Sequence, residues 1–457
     1  MKKDIKISGN RITILGGGSL YLPVIIKEII PFLKNTLINE IYLVDINDNN
    51  LDLIVNFCKL VVKKIHSDIK ICGSTNLNDA LPNSLLVITM YRVGGSNARY
   101  SDELIGKKYS LGQETQGYGG FASFLRNVSP LKNLILLMKK YCPDAWLLDI
   151  TNPTGIMTRA AIDLGSKKVI GVCELPFNLR KAIAQILNID VFVPKIYYAG
   201  LNHLGWVYKI KINNKKITNK ILKNNILDIF KKGCPNSIIN FLTESNLLSK
   251  LFNYINREFD KSKTIFSPYL IFYYYFNEIS IFQKKTSWTR AKTVETENNI
   301  LKNEYLNKKI NGKWENILKQ RGGFLLGETI GPIIHDMLQI KKSNKIHIVC
   351  TKNNGVIPFL PNNAVVEIPC RINWQEVKPM KQKNPLNGKD KKEIRELIKK
   401  VAKYETLTSK SGISGSPELA LNALTTHPMI NSKETAEILL EITLNKYKKY
   451  LPQFKTN

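Results

Sequence analysis

Cys173 and His203 are the residues whose chemistry asks first to be explained. Each follows a short apolar segment, Lys168–Val172 and Ile196–Ala199, and neither belongs to a CxxC or HxxxH cluster. Thiolate and imidazole both bind divalent ions, and two protein ligands would leave positions open for substrate oxygens and water, as a catalytic site requires. Softness alone would suit zinc or iron. Each residue also has a plainer reading, the cysteine as a small buried hydrophobe and the histidine as a hydrogen-bonded loop residue. Similar polar groups follow two further apolar segments: Tyr91-Arg92-Val93-Gly94-Gly95 after Leu85–Met90, and Thr151-Asn152-Pro153-Thr154-Gly155 after Ala145–Ile150. Glu174 directly follows Cys173. If the four segments are neighbouring parallel strands, their carboxyl ends bring these residues into one crevice.

A second constellation lies at the start of the chain. Ile12–Leu15 reads as a β-branched strand, followed by Gly16-Gly17-Gly18-Ser19-Leu20 and a helical stretch Val24–Phe32. Strand, glycine turn and helix make a dinucleotide site, where glycines admit a pyrophosphate and the helix N-terminus supplies amides and positive dipole. A second strand, Ile41–Val44, ends on Asp45, placed to hold the adenosine ribose of NAD. Tyr21 stands where G-x-G-x-x-G has its third glycine, and a plain tight turn is the competing reading. Gly112-Gln113-Glu114-Thr115-Gln116-Gly117-Tyr118-Gly119-Gly120-Phe121, with Arg126-Asn127 after it, reads as an active-site loop.

Positioning such residues takes alternating elements. Further strands are expected at Ile69–Cys72 and at the segments already named, with helices near Asn50–His66, Leu131–Tyr141, Thr154–Leu164 and Phe177–Leu187. That alternation gives an α/β, Rossmann-like doubly wound parallel sheet ending near residue 200. Strands at Ile346–Thr351 and Val365–Pro369, and helices at Lys391–Tyr404 and Lys433–Tyr447, suggest a second α+β domain. The expected division is residues 1–200 for NAD binding and 201–457 for substrate binding and oligomerisation. The Lys-rich stretch 378–394 reads as an exposed loop.

Composition bounds the rest. With 457 residues and 44% hydrophobic content, the chain can bury a core without disulfides, which excludes disordered, collagenous and small stapled classes. The formal charge is +30, from 67 Lys+Arg against 37 Asp+Glu. Only 11 of those cations are Arg, and the lysines are spread through every segment with no nucleic-acid-binding module, so solvated faces are favoured over a polyanion partner. Seven cysteines at irregular spacing give no disulfide framework and suggest a reducing compartment. The glycine-broken N-terminal run lacks signal-peptide form, and the most apolar later run, Ile265–Phe276, is too short to span a bilayer. A cytoplasmic protein with neither nucleic-acid nor membrane partners is expected.

GGGSxxxP, RVGG, GQETxGxGGF, TNPTG, GxC and GLNH occur in an order that resembles glycoside hydrolase family 4, the NAD- and divalent-metal-dependent phosphoglycosidases. The likeness continues through Pro268-Tyr269-Leu270, Thr289-Arg290-Ala291, Asn353-Asn354-Gly355 and Glu367-Ile-Pro-Cys370, and RVGG and GGF look more like the 6-phospho-β-glucosidase branch. The resemblance implies a departure from the usual two-carboxylate glycosidase plan: hydride leaves sugar C3 for NAD⁺, a base removes the acidified C2 proton, the aglycone is eliminated, water adds at C1, and hydride returns. It implies NAD contacts at Gly16, Gly17, Gly18, Ser19, Leu20 and Asp45, and a divalent metal, usually manganese, on Cys173 and His203. Tyr269 matches the base and Glu114 the residue that raises its basicity. Arg99 and Asn152 match substrate contacts, and Arg290 an arginine near the sugar phosphate, whose planar fork suits that group. Glu174 departs from the family pattern, which has Asn there in β-type relatives and Asp or His in α-type relatives; it would protonate the leaving group or add charge beside the metal. The expected activity is hydrolysis of 6-phospho-β-glucosides by a homodimer or homotetramer. The alternatives are a 6-phospho-α-glucosidase of the same family, an NAD-dependent 2-hydroxy acid dehydrogenase with inert Cys173 and Tyr269, and a non-enzymatic NAD- or sugar-phosphate-binding module.

Overall fold

The computed structural model of the chain describes residues 8–111, 115, 117–286, 289–320, 325–341, 343–383 and 385–454. Its strands are β1 (Arg11–Leu15), β2 (Glu40–Val44), β3 (Lys70–Ser74), β4 (Ser84–Thr89), β5 (Trp146–Asp149), β6 (Val169–Gly171), β7 (Lys195–Leu201), β8 (Leu204–Ile212), β9 (Lys215–Lys216), β10 (Ile265–Phe266), β11 (His347–Lys352), β12 (Val365–Ile372) and β13 (Val377–Pro379). β1 and β4 read RITIL and SLLVIT, with β4 buried throughout, the signature of parallel strands covered on both faces. β3-β2-β1-β4-β5-β6 run parallel, and the order reverses between β1 and β4, where a ligand crevice is expected. The helices Leu22–Leu33, Asp48–Lys64, Gly117–Tyr141, Thr154–Asp163 and Leu175–Ile186 supply the crossovers and cover.

The sheet does not stop near residue 200. β11 lies antiparallel against β6, β12 against β11, β7 against β12 and β8 against β7. Two strands from late in the chain therefore separate β7 from β6, and β7 is not a further parallel strand. Apolar periodicity marks a strand but carries no information about its neighbour, which here is set by pairing across more than a hundred residues.

Two local expectations also change. The helix expected at Leu131–Tyr141 begins at Gly117, because Tyr118, Phe121 and Phe124 are fully buried and their packing overrides the poor helix propensity of the glycines. Gly120 has a steric reason: a Cβ there would lie 2.4 Å from the Thr115 carbonyl oxygen. Within 378–394, β13 pairs with β12 and a turn at Lys389–Lys391 leads into the helix Lys392–Ser414.

One buried ion pair ties the middle of the chain to its end. Arg126, completely buried, sends two guanidinium nitrogens to Asp102 at 3.0 and 2.5 Å and stacks over Tyr447 at 4.2 Å. Tyr447 donates to the same carboxylate at 2.6 Å. Removing one member of such a pair strands a charge in the core, so Asp102→Ala is expected to lower stability by about 3–5 kcal/mol. Denaturant unfolding of the two proteins measures this; a loss below about 1 kcal/mol, the scale of a surface pair, would contradict it.

Candidate active site

At the glycine turn, the backbone rather than a side chain faces β2. Gly16 and Gly17 both donate to the Val44 carbonyl, at 2.9 and 2.8 Å, and a Cβ on Gly17 would lie 2.7 Å from Val44 N. Gly16 needs its freedom for another reason, a φ of +93°. Gly18 N donates to Asp45 Oδ2 at 2.9 Å and Asn47 N to Oδ1 at 3.0 Å, so the acid is locked onto the turn while each oxygen keeps a second lone pair for a ligand. Ser19 N closes the turn on the Gly16 carbonyl at 3.0 Å, and the Leu20 carbonyl accepts from Tyr305 Oη at 2.8 Å. No side chain caps the Leu22–Leu33 helix that follows.

The ends of β4 and β5 are joined by Asn127, almost fully buried. Its Oδ1 accepts from Val93 N at 2.9 Å, its carbonyl from Tyr91 Oη at 2.9 Å, and its Nδ2 donates to the Asn152 carbonyl at 3.4 Å. The Asn152–Pro153 peptide is cis. Asn152 Oδ1 is buried without a protein hydrogen-bond partner, as a group awaiting a ligand or water would be. Beneath it, burial pushes the Asp149 carboxyl up to about 7, against hydrogen bonds from Thr89, Thr151 and Thr158. Arg126, fully buried in its ion pair with Asp102, also donates from Nε to the Val93 carbonyl at 3.3 Å and so supports the segment after β4 from within the core.

Cys173, half-buried, lies one residue before Glu174, the N-cap of the helix Leu175–Ile186, so the first backbone amide of that helix stands near the thiol. Burial pushes the thiol well above its ordinary value and Glu367 adds to that, while the Leu175 amide and Asn202 side chain oppose it. A thiolate at this place calls for a cation. His203, 5% exposed, turns with φ +62° in the two-residue connection between β7 and β8. Thr115 Oγ1 meets its Nδ1 at 3.4 Å, and its ring lies 4.4 Å from that of half-buried Tyr269, tilted by 31°. Tyr269 arrives on the turn Pro268–Leu270, held by Ser267 N donating to the Gly205 carbonyl at 2.8 Å.

The four polar segments do meet, although β7 enters the sheet antiparallel. Asn127 links the ends of β4 and β5, Asn202 lies close enough to Cys173 to act on its thiol, and a Cβ on Gly155 would stand 3.1 Å from Asn202 Cβ. Arg99 and Arg290 are brought together less directly. Arg99 Nε binds Glu103 Oε1 at 3.0 Å, and Glu103 Oε2 accepts from Ala291 N at 2.9 Å, the residue after Arg290 at the start of the helix Arg290–Leu306. Glu174 occupies the residue before Leu175–Ile186. Glu114 lies outside the described residues. Tyr273 and Tyr274 are core aromatics, the first stacked on His427 and the second against Tyr254 and Phe266.

Three buried acids stand beside the site, of which motif reading names only Glu367, and without a role. Glu367 accepts from Tyr198 Oη at 2.8 Å and Asn202 Nδ2 at 3.2 Å; Tyr198 lies in β7, and burial pushes the Glu367 carboxyl up to about 7. Asp149 and Glu405 are likewise buried, the latter pushed up to about 8. The available signal was a lone acid in an apolar run, Val-Val-Glu-Ile for Glu367 and Leu-Leu-Asp-Ile for Asp149. Among the described residues no group of three or more His, Cys, Asp or Glu could hold a metal ion, so a cation here would rest on Cys173 and His203 with substrate or water completing its shell. The donor types, the unpartnered Asn152 Oδ1 and the demand for a cation beside the thiol all fit such an ion; the glycine turn and Asp45 fit a dinucleotide.

Residues 11–189 match the model of the family 4 glycosyl hydrolases, and residues 198–430 match that family's C-terminal domain. The 6-phospho-beta-glucosidase of Thermotoga maritima is 31% identical over 452 residues, covering 96% of this chain and 99% of the relative. The phospho-alpha-glucosidase of Clostridium acetobutylicum is 25% identical, covering 96% and 98%. The Thermotoga maritima enzyme solved with manganese, NAD⁺ and glucose-6-phosphate has a TM-score of 0.82 at 28% identity, covering 96% of this chain and 99% of that one. With both halves of the chain matched and a relative aligned almost end to end, this protein belongs to the family 4 glycosyl hydrolases.

Proposed function

We propose that the protein hydrolyses 6-phospho-β-glucosides with bound NAD⁺ and a divalent cation, manganese first among them. The observation that carries the reading is the packing of half-buried Tyr269 on His203, beside Cys173 and Asn202: a candidate base next to a thiol–imidazole pair. The named relatives and the ligands of the solved Thermotoga enzyme support it. When bound, NAD⁺ would take and return hydride at sugar C3, and the cation would polarise the neighbouring oxygens.

The chain's own residues supply the rest. Gly16, Gly17, Gly18, Ser19 and Leu20 bring backbone to the pyrophosphate, and Asp45 takes the adenosine ribose. Cys173 and His203 hold the cation. Asn152 Oδ1 accepts from a sugar hydroxyl, and Arg99 and Arg290 hold the 6-phosphate. Tyr269 removes the C2 proton, with Glu114 raising its basicity, since an unaided tyrosine is protonated at neutral pH. Loss of the aglycone from C1 follows, and water adds there. Glu174 donates a proton to the departing oxygen. Residues 1–200 thus carry the cofactor, and residues 201–457 bring Tyr269 and Arg290 to the substrate and build a homodimer or homotetramer. No described helix is long and apolar enough to cross a membrane, and all seven cysteines are free, which supports a cytoplasmic setting. Glu174 favours one second reading, a 6-phospho-α-glucosidase, because an acid beside the metal cysteine is the α-type pattern.

Hydrolysis of p-nitrophenyl β-glucoside 6-phosphate should exceed that of its α-anomer and should require both Mn²⁺ and NAD⁺; faster α-hydrolysis would select the second reading, and rates indifferent to both additions would remove the mechanism. Tyr269→Phe should bind NAD⁺ normally yet lose C2 deuterium exchange from solvent by about 10²–10⁴-fold. Exchange at the wild-type rate, read by NMR, would exclude Tyr269 as the base.

A further inference from the structure

We infer that Glu367 is the positioning residue of the Cys173/His203 centre, fixing the Asn202–His203 turn against Cys173 from within the sheet; this rests on reading that pair as a divalent-cation site. Glu367 is 1% exposed in β12, between Val365-Val366 and Ile368. It pairs with Gly200 of β7 on one side and Cys350 of β11 on the other, and Cys350 pairs with Gly171 of β6. One row of residues therefore runs from the strand before Cys173 to the strand before His203, with the carboxylate inside it.

The hydrogen bonds give this row a direction. Glu367 Oε2 accepts from Tyr198 Oη at 2.8 Å, two residues before Gly200, and Oε1 accepts from Asn202 Nδ2 at 3.2 Å, two residues after it. Both ends of the approach to the β7–β8 connection are thus held by one side chain. Asn202 in turn lies close enough to Cys173 to act on its thiol, and a Cβ on Gly155 would stand 3.1 Å from Asn202 Cβ, so the residue is closely packed there as well. His203 follows directly in a left-handed conformation that a non-glycine residue keeps only where its surroundings dictate it.

A purely structural role does not explain the residue type. A leucine or methionine would fill a slot between valines and isoleucines without the desolvation cost of a buried acid. What only an acceptor can do is orient Asn202 and anchor Tyr198. Groups that orient metal ligands from behind typically change metal affinity by about 10–100-fold when removed.

The test is Mn²⁺ binding to the NAD⁺-loaded protein, followed by the EPR signal of free Mn²⁺, with Co²⁺ substituted in parallel to read its thiolate charge-transfer absorption. Glu367→Leu should raise the Mn²⁺ Kd by about 10–100-fold and weaken the Co²⁺–thiolate band, with NAD⁺ affinity unchanged. Asn202→Ala, which leaves the buried acid in place, should do the same, and the double variant should lose no more than the worse single one, because both act through one link. Unchanged Mn²⁺ affinity in either single variant, additive losses in the double, or loss of NAD⁺ affinity in step with Mn²⁺ would overturn the inference. If Glu367→Leu fails to fold, Asn202→Ala decides alone. A wild-type protein that takes up no Mn²⁺ would instead refute the cation site itself, and this inference with it.

Discussion

The entry of β11 and β12 between β6 and β7 is the constraint on which the rest of the site depends. Cys173 follows β6 and His203 follows β7, so how the two residues stand relative to one another depends on the two strands inserted between them. Those strands come from residues 347–372, and their pairing closes a loop of well over a hundred residues. Loop closure of that length adds only modestly to the entropic cost, since the cost grows as the logarithm of length. It does slow folding, because non-local pairing comes before the contacts that reward it. The placing of Cys173 relative to His203 therefore depends on pairing between the second half of the chain and the first.

The dinucleotide end of the sheet is built the other way, from local contacts. Gly17 lets the turn lie flat on Val44, and Gly18 N reaches Asp45, so turn and acid stabilise one another over fewer than thirty residues. This explains why Tyr21 is tolerated in place of a third glycine. The helix Leu22–Leu33 starts after Tyr21 with Pro23 in its first turn, and the close approach to the sheet falls at Gly17 instead.

The same contrast governs what the residues alone reveal. The parallel half of the sheet, the glycine turn and Asp45 are legible because strand, turn and helix signals there are local and periodic. The convergence of Cys173, Asn152 and His203 was also legible, but through a premise the fold does not use: β7 reaches the crevice antiparallel, by way of β12. Glu367 was named only as part of the Glu367-Ile-Pro-Cys370 likeness, and its partners Tyr198 and Asn202 could not be, since only register identifies them. The start of the long helix at Gly117 was hidden for a different reason. Glycines weaken the helical signal, and burial of Tyr118 and Phe121 restores it only in the folded molecule.

Charge supplies the last distinction. A formal excess of +30 is carried mainly by lysine, whereas the few arginines act as joints: Arg11 to Glu40, Arg126 to Asp102, Arg159 to Asp163. A planar guanidinium can satisfy several acceptors at once and remains charged when buried, which suits it to such places better than lysine. Arginine in a motif is consequently weak evidence of contact with an anionic ligand. Arg126 is sealed in the core, where its partners are Asp102 and the Val93 carbonyl. Arg99 and the residue after Arg290 share one acidic partner. Glu103 grips Arg99 with one oxygen and the backbone of Ala291, in the first turn of the Arg290–Leu306 helix, with the other, so a single carboxylate ties Arg99 to the start of that helix.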